Sequence, residues 1–287
     1  MNRRQFTTST AAALAAANMA TAARLPIKKA VLLGMIDEGA TIADKFAVAR
    51  DAGFDAMEVG NVPTMKEAEE IARASQSAKL PIHGIMNMEH WKSPLSSPEA
   101  GVPERTVESM KSSFEQAKLF GASTVLLVPA VVNGQVRYEE AWKRSQAHIR
   151  SLIPFAENAK VIIAVENVWN KFLLSPMEMA RYVDEFKSPW VRSYLDVGNM
   201  LLFGFPQDWV RTLGKNRIAK LHFKDFKFAK RQAEFVNLRD GELDWKAVHQ
   251  ALTEIGWSGY ATVELNKGNA AYLKDVAQRV DLILNGA

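Results

Sequence analysis

Residues 161–225 contain three short aliphatic runs that each end in polar residues: VIIAVEN at 161–167, VRSYLDVGN at 191–199 and IAKLHFKD at 218–225. Short, nearly continuous apolar runs are typical of strands that are buried on both faces of a parallel sheet. Longer stretches with apolar residues three and four positions apart follow such runs, which indicates amphipathic helices. The alternation predicts an α/β fold in which helices cover a parallel sheet.

The same alternation extends along the chain from Ile27 onward and occurs eight times. Eight strand–helix units in about 260 residues fit a (β/α)8 TIM barrel. An open doubly wound sheet is the alternative, but no Gly-x-Gly-x-x-Gly follows the first strand to support a nucleotide site. The predicted strands are Ala30–Met35, Ala56–Gly60, Pro81–Met86, Thr124–Pro129, Val161–Glu166, Val191–Val197, Ile218–Phe223 and Tyr260–Leu265.

The composition narrows the classes of function that the chain can have. Of its 287 residues, 48% are hydrophobic and 24% are charged, and the formal net charge is +4. Residues 24–287 contain no linker-like stretch, so they are predicted to form a single domain. The basic residues form no concentrated stripe, which argues against a nucleic-acid partner. Because the chain has no cysteine, disulfides and thiolate metal sites are excluded.

The N-terminal segment has the features of an export signal. Arg3 and Arg4 precede an alanine-rich run, and residues 20–22 offer a small-x-small cleavage pattern. We therefore interpret residues 1–23 as a twin-arginine-type signal peptide and expect a periplasmic or otherwise exported protein. The alternative is a frayed, helix-prone terminus of a cytoplasmic protein. No other apolar stretch is long enough to span a bilayer, so we expect no stable membrane association after export.

Four consecutive predicted strands end in residues that can bind a metal. TIM-barrel active sites lie at the C-terminal ends of the strands, and strands five to eight end in Glu166, Asp196, His222 and Glu264. A single residue of this kind at a strand end would be explained more simply by a hydrogen bond to a neighbouring loop. Three carboxylates together repel one another and lose hydration, so they need a divalent metal or protonation. The set suits one divalent ion, with Mn, Co or Mg favoured and Zn as a further candidate.

These strand ends resemble the metal motifs of the xylose-isomerase-like sugar isomerase/epimerase superfamily, and the resemblance covers residues 27–285. The Asp-Val-Gly-Asn form at 196–199 is most similar to the ketopentose-phosphate 3-epimerase branch. The resemblance implies that the two glutamates are catalytic and exchange the substrate proton, while all four residues bind the metal. Its motifs are Val165-Glu166-Asn167, Leu195-Asp196-Val197-Gly198-Asn199, Leu221-His222-Phe223-Lys224-Asp225 and Val263-Glu264-Leu265.

The chain departs from the family pattern at two places. Gly198-Asn199 stands where ketose epimerases that act on free sugars often have a histidine, and residues 238–241 read Leu-Arg-Asp-Gly where Leu-Gly-Glu-Gly is common. Arg239, which replaces a glycine, is expected to narrow the pocket or to change its charge.

The ligand set implies a reaction at the carbon next to a sugar carbonyl. A metal bound to the carbonyl and hydroxyl oxygens stabilises the cis-enediolate formed when that carbon loses its proton. If one glutamate takes the proton and the other returns it from the opposite face, the carbon is epimerised; transfer to the adjacent carbon gives isomerisation. Because export separates the protein from cytoplasmic sugar phosphates, a non-phosphorylated keto-sugar is the expected substrate.

Three alternatives stay open at this point. A keto-sugar or keto-glycoside lyase or dehydratase begins with the same proton abstraction and then expels a substituent. An endonuclease-IV-like enzyme uses the same barrel with several zinc ions, but it needs more histidines than the five present here. An exported sugar-binding protein that has kept a metal site would bind sugar without turnover.

Six further residues are predicted to contact the small-molecule sugar. They are Glu58, His83, Trp91, Asn199, Lys224 and Asp225. For Glu58 and His83, placed at the ends of strands two and three, a structural hydrogen bond is the equal alternative. Trp91 lies in the long loop Asn87–Pro103, which is expected to cover the site. Lys224 either binds a substrate oxygen or forms an ion pair at the rim. The oligomeric state is left open by the sequence, and a homo-oligomer is one alternative.

Overall fold

The computed structural model describes residues 23–229 and 232–287. The export signal proposed for residues 1–23 therefore falls, apart from Ala23, outside the described residues. None of the helices in the described part of the chain is both long enough and apolar enough to cross a bilayer.

Eight parallel strands close into a barrel within these residues, in the order β1-β2-β3-β4-β5-β6-β7-β10. The prediction of a (β/α)8 barrel is thus confirmed. A separate antiparallel pair, β8 with β9, follows the seventh barrel strand. The strands are Ile27–Leu32 (β1), Ala56–Gly60 (β2), Ile82–Met86 (β3), Thr124–Leu127 (β4), Ile162–Glu166 (β5), Val191–Asp196 (β6), Ile218–Phe223 (β7), Asp225–Ala229 (β8), Gln232–Val236 (β9) and Gly259–Val263 (β10).

Eight α-helices in the described residues surround the barrel. Each has an apolar face toward the strands, and the main core of large buried side chains lies between the two layers. Thr41 and Thr64 begin two of the helices with capping boxes, which satisfy free N–H groups of the first turn. The helices are Ile42–Asp51 (α1), Met65–Ala78 (α2), Val102–Phe120 (α3), Tyr138–Ala159 (α4), Pro176–Asp184 (α5), Pro206–Arg217 (α6), Trp245–Glu254 (α7) and Ala270–Leu284 (α8).

The observed strands differ from the predicted ones mainly at their ends. The first strand begins at Ile27 rather than Ala30, and Leu33–Met35 forms a 3-10 turn instead of continuing it. Directly after β7 the chain forms the hairpin β8–β9, which was not among the predicted strands. Alternation of Phe226 and Phe228 with Lys227 is the period-two signal that indicates this hairpin.

Asp225 fixes the hairpin to the barrel. Its carboxylate is fully buried and accepts hydrogen bonds from the Arg239 backbone N–H and from Trp245 Nε1, both at 2.9 Å. Burial raises the pKa of Asp225, and these hydrogen bonds oppose that rise. The returning chain passes so close that a Cβ at Gly241 would lie 1.8 Å from Asp225 Oδ1. Glycine at 241 is therefore required by close approach.

We predict that Gly241→Ala lowers the free energy of unfolding by about 1–3 kcal/mol, the usual cost of forcing extra atoms into a packed region. Urea denaturation of both proteins measures the difference. Gly134→Ala is the matched control, because Gly134 is exposed and an added Cβ there meets no atom within 4 Å. Equal stability of the Gly241→Ala variant and the wild type would contradict the close packing.

Candidate active site

Glu166, Asp196, His222 and Glu264 converge at the C-terminal end of the barrel. They lie at or next to the ends of β5, β6, β7 and β10, which are neighbours in the barrel. Each offers one ligand atom, and these four atoms all lie within 4.8 Å of one another. The structure thus brings together all four residues that the strand ends suggested as metal ligands.

His222 lies at the centre of this set and is fully buried. Its Nδ1 is 2.9 Å from Glu166 Oε1 and 3.3 Å from Glu264 Oε2, while its Nε2 is 3.1 Å from Glu58 Oε2. Burial alone would lower the pKa of His222, but the charge of Glu58 and the hydrogen bonds to the carboxylates raise it well above its usual value. Three carboxylates therefore hold the imidazole in one orientation.

Asp196 is held by the backbone of the turn that follows it. Its Oδ1 accepts hydrogen bonds from the N–H groups of Gly198 (2.8 Å) and Asn199 (2.9 Å). The same turn passes close to the end of β7, since a Cβ at Gly198 would lie 2.6 Å from the Lys224 carbonyl oxygen. The Asp-Val-Gly-Asn sequence thus has two roles. Its backbone N–H groups hold the Asp196 carboxylate, and its glycine lets the ends of β6 and β7 lie close together.

Lys224 supplies positive charge beside the carboxylates. Its ammonium lies 2.7 Å from Glu264 Oε2 and 3.2 Å from Asp196 Oδ2. The second contact is an ion pair without hydrogen-bond geometry, so Asp196 Oδ2 is buried without a hydrogen bond from the described residues. Burial alone would lower the pKa of Lys224, but the charges of Asp196 and Glu264 raise it.

The two glutamates have different surroundings. Burial raises the pKa of Glu166 to about 7, although its hydrogen bond to His222 partly opposes the rise. Burial acts in the same direction on Glu264, but the hydrogen bonds and charges of His222 and Lys224 outweigh it and lower the pKa of Glu264. Unequal environments around a pair of carboxylates are typical of sites that transfer protons.

The donor set fits a divalent cation. Three carboxylates and one imidazole are buried or half-buried around a common point, and one of their oxygens, Asp196 Oδ2, lacks a hydrogen bond. Oxygen-rich ligands with one nitrogen suit Mn, Mg or Co and also allow Zn. These residues are therefore the ones that could hold a metal.

A cavity of about 200 Å³ opens above this set. Trp91, which is 52% exposed, and His90 come from the long loop and meet edge to face at 5.8 Å. On another side Trp169 stacks on Phe235 of the hairpin at 5.8 Å. The lining residues are Met86, His90, Trp91, Glu166, Val168, Trp169, Asn199, Lys224, Phe235 and Glu264.

Three of the six predicted substrate contacts line the cavity, namely Trp91, Asn199 and Lys224. Asp225 does not, because its carboxylate is used to anchor the hairpin. Arg239 does not either: it is exposed, with a left-handed φ of 69°. The expectation that Arg239 narrows or recharges the pocket is therefore wrong.

The prediction that Glu58 and His83 lie on the rim is also wrong. Glu58 is the third of five residues in β2 and His83 the second of five in β3, so both strands continue past them. Glu58 accepts a hydrogen bond from Tyr194 Oη at 2.6 Å, and His83 Nε2 is 2.8 Å from Thr262 Oγ1. They fill the barrel interior beneath the ligand set and are structural.

The interior groups have pKa values that fit this role. Burial opposes ionisation of Glu58, but the charge and hydrogen bond of His222 outweigh it and lower the pKa of Glu58 to about 2. Burial lowers the pKa of His83 to about 3, so that imidazole is neutral near pH 7. A charged carboxylate beneath His222 therefore supports the ligand from inside the barrel.

Several functional residues were missed by the sequence reasoning. Tyr194, in the middle of β6, reads as an ordinary strand residue, yet it bonds Glu58. Asn167 follows a ligand and pairs its side-chain amide with both backbone groups of Asp196. Trp169 and Phe235 join the lining only because the hairpin folds over the site. Of these residues, Asn167 alone has a position in the sequence, next to Glu166, that could have indicated its role.

The chain is similar to known proteins over most of its length. Residues 46–281 match the family described as xylose isomerase-like TIM barrel. SgbU of Escherichia coli strain K12, which bears the provisional name L-ribulose-5-phosphate 3-epimerase, is 25% identical over 236 residues, or 77% of this chain and 82% of the relative. L-ribulose-5-phosphate 3-epimerase UlaE of Escherichia coli O1:K1 is 21% identical over 255 residues, or 83% of this chain and 88% of the relative.

A solved structure has the same architecture. The apo crystal structure of 3-keto-D-glucoside 4-epimerase, YcjR, from E. coli gives a TM-score of 0.76 at 14% identity and covers 88% of this chain and 98% of that chain. At this identity the likeness shows the fold. The named sequence relatives are epimerases, and the predicted enzyme class, an isomerase or epimerase, is confirmed by them.

We predict that His222→Ala and Asp196→Asn each lower the content of bound divalent metal by at least about tenfold, because the first removes a ligand and the second removes the negative charge of one. Elemental analysis after dialysis against Mn measures this, and circular dichroism checks that the barrel is folded. His148→Ala is the control, since His148 lies on α4, outside the ligand set. Full metal occupancy in both ligand variants would rule out the site.

Proposed function

Since the chain belongs to the xylose isomerase-like TIM barrel family, we propose that it is a divalent-metal-dependent sugar epimerase or isomerase. It acts by proton abstraction next to a carbonyl, through a cis-enediolate, on a non-phosphorylated keto-sugar. The observation that carries this activity is the convergence of Glu166 and Glu264 with Asp196 and His222 within 4.8 Å. Two carboxylates beside one ligand set can act on the same substrate carbon.

The metal would be held by these four residues, with Mn, Co or Mg favoured and Zn as a further candidate. When bound, a divalent cation polarises the substrate carbonyl and stabilises the negative charge that develops on its oxygen. A carboxylate is a weak base toward an ordinary sugar C–H because its usual pKa is near 4. Polarisation of the carbonyl acidifies that C–H and brings it within reach of a glutamate.

The two glutamates divide the proton transfers. They stand on β5 and β10, the two ends of the four-strand arc, and so flank any molecule that lies between them over β6 and β7. One glutamate takes the proton from the carbon next to the carbonyl. The other returns a proton from the opposite face, which inverts the centre, or to the adjacent carbon, which isomerises the sugar.

The other lining residues orient the sugar and exclude water. Lys224 stands beside Glu264 and can donate to a substrate oxygen. Burial lowers the pKa of His90 to about 4, and its Nδ1 accepts from the Val128 N–H, so the neutral ring presents Nε2–H as a donor. The exposed ring of Trp91 can cover the apolar face of a sugar ring.

A neutral substrate is supported by the charges of the cavity. Among the described residues that line it, Lys224 is the one lysine or arginine, and its ammonium is already paired with two carboxylates. The rest of the described lining is largely apolar or aromatic and adds neutral donors such as His90 but no further cation. The export signal inferred for residues 1–23 favours the same substrate class. The sequence relatives are named for a sugar phosphate and the structural neighbour for a keto-glucoside.

We predict that Glu166→Gln and Glu264→Gln each lower turnover by roughly two to four orders of magnitude, the usual contribution of a positioned acid or base. Glutamine keeps an oxygen ligand and nearly the same volume but loses the basic charge. The measurement is incubation of metal-loaded protein with keto-sugars in heavy water, followed by NMR of deuterium incorporation and of the product.

Glu70→Gln is the matched control, because Glu70 is exposed on α2. In an epimerase one of the two glutamine variants can still exchange a proton from one face without inverting the centre. A conjugated enone product would instead identify a lyase or dehydratase. Near wild-type turnover in both glutamine variants would refute the assignment of proton transfer.

We further predict a higher kcat/KM for neutral keto-sugars, free or glycosidic, than for their phosphate esters. A phosphate would be placed in an apolar, aromatic cavity next to carboxylates, without an unpaired cation from the lining residues. Steady-state assays on matched pairs of neutral and phosphorylated ketoses test this. Faster turnover of a phosphorylated sugar than of every neutral one would overturn the substrate class and leave the metal site untouched.

A further inference from the structure

The end of the barrel opposite the ligand set carries three cationic side chains and a tyrosine on neighbouring strands. Lys28 and Tyr260 are the second residues of β1 and β10, Arg192 is the second residue of β6, and Lys220 is the third residue of β7. These strands are consecutive in the barrel, in the order β1-β10-β7-β6. We call these four residues the basic floor.

Two cations of the basic floor stand in line with the metal-ligand candidates. Side chains an even number of positions apart on one strand lie on the same face. Lys220 precedes His222 by two positions, and Arg192 precedes Asp196 by four. Because the ligand candidates face the barrel interior, these cations do too. The floor therefore lies on the barrel axis.

The tyrosine ring is approached by two ammonium groups. Lys220 Nζ lies 4.5 Å from the centroid of the Tyr260 ring, and Lys28 Nζ lies 5.5 Å from it. The face of an aromatic ring attracts a cation but carries no net charge. Tyr260 therefore holds the two lysines near one another without neutralising them.

Lys220 lacks a counter-ion among the residues that the structure describes. It is only 6% exposed, and within residues 23–229 and 232–287 its ammonium has neither a hydrogen-bond acceptor nor an ion-pair partner. Burial, and to a smaller extent the charge of Arg192, lower the pKa of Lys220 to about 8. The charge of Glu58 raises it, but Glu58 bonds His222 and Tyr194 through its Oε2. A buried charge without a close partner is unfavourable.

Arg192 has N–H donors that form no hydrogen bond with the described residues. Its Nη2 is fixed by the carbonyl oxygens of Lys215 (3.0 Å) and Ile218 (2.7 Å), which orients the guanidinium. Its Nε is buried and forms no hydrogen bond with the described residues. A planar guanidinium that is held in place and still has free N–H groups is well suited to oxygen anions.

A cavity of about 520 Å³ gives access to Arg192 from this end of the barrel. Ser188 and Asn216 line it and can donate hydrogen bonds, and Lys187 adds positive charge. Arg217 also lines it, but its Nε and Nη2 donate hydrogen bonds to the two carboxylate oxygens of Asp184, at 2.9 and 2.8 Å. The cavity therefore combines space, neutral donors and uncompensated positive charge.

We propose that this cavity, which Arg192 of the basic floor lines together with Lys187, is a binding site for a small oxyanion, either inorganic phosphate or the phosphate group of a small metabolite. The anion accepts hydrogen bonds from Arg192 and offsets the positive charges of Arg192 and Lys187. This site is separate from the proposed catalytic cavity, which lies at the other end of the barrel. Anion binding there is compatible with a neutral substrate at the catalytic end.

Titration of the full-length protein with inorganic phosphate tests the site. Sodium chloride keeps the ionic strength constant, and thermal unfolding is followed together with isothermal calorimetry. We expect a saturable rise in Tm of roughly 3 °C at tenfold excess over Kd. Glucose 6-phosphate forms a second arm: tighter binding of the ester identifies a phosphorylated metabolite as the natural source, and equal or weaker binding identifies inorganic phosphate.

Variants locate the binding. Arg192→Met removes the guanidinium that lines the cavity and should raise Kd for phosphate at least tenfold. Lys187→Met, on an exposed residue, should raise it less and does not depend on how Arg192→Met folds. Lys66→Met, an exposed lysine of α2, is the control and should leave Kd unchanged. Asp196→Asn should also leave it unchanged, because that residue lies at the other end.

Three results would overturn the site. One is the absence of a saturable phosphate effect beyond that of chloride. Another is unchanged phosphate affinity in both Arg192→Met and Lys187→Met. The third is loss of phosphate binding in Asp196→Asn, which would place the anion at the metal-ligand end.

Discussion

Three buried carboxylates beside one imidazole repel each other unless positive charge is supplied nearby, and this constraint shapes the whole C-terminal end of the barrel. Lys224 lies against Asp196 and Glu264, and the turn after β6 directs two backbone N–H groups at Asp196. His222 contacts Glu166 and Glu264. Each of these groups needs its own support. Gly198 lets the turn pass the end of β7, and Glu58 holds His222 from below. The packing near the site therefore follows from its electrostatics.

The fold and the ligand set could be predicted from the sequence because both depend on local patterns. Aliphatic runs mark buried parallel strands, and strand ends in a TIM barrel all meet at one rim. Glu166, Asp196, His222 and Glu264 are found by reading those ends. Glu58 and His83 were misplaced on the rim because they are the polar residues of strands two and three, although the predicted strands already continued to Gly60 and Met86. Inside this barrel the strands continue past polar groups that bond one another.

Tertiary contacts between distant segments gave no local signal. The anchoring of Asp225 depends on Trp245 and on a backbone N–H fourteen residues further along the chain. Trp169 and Phe235 are 66 positions apart and meet only because β8–β9 folds back over the site. The role of a polar residue can therefore be predicted when it depends on the position of that residue in its strand. It cannot be predicted when it depends on contacts with distant parts of the chain.

The hairpin β8–β9 leaves the barrel directly after the strand that bears His222, yet Asp225 fastens its base to the segment leading into α7. Substitutions farther along the hairpin therefore leave the position of the His222 imidazole unchanged. Its aromatic face, including Phe235, could be replaced or extended during evolution while the ligand geometry stayed constant. The barrel in this way separates the groups that perform a reaction from the groups that select which molecule undergoes it. Related proteins that share the ligand set could therefore come to act on different substrates through substitutions in the hairpin β8–β9.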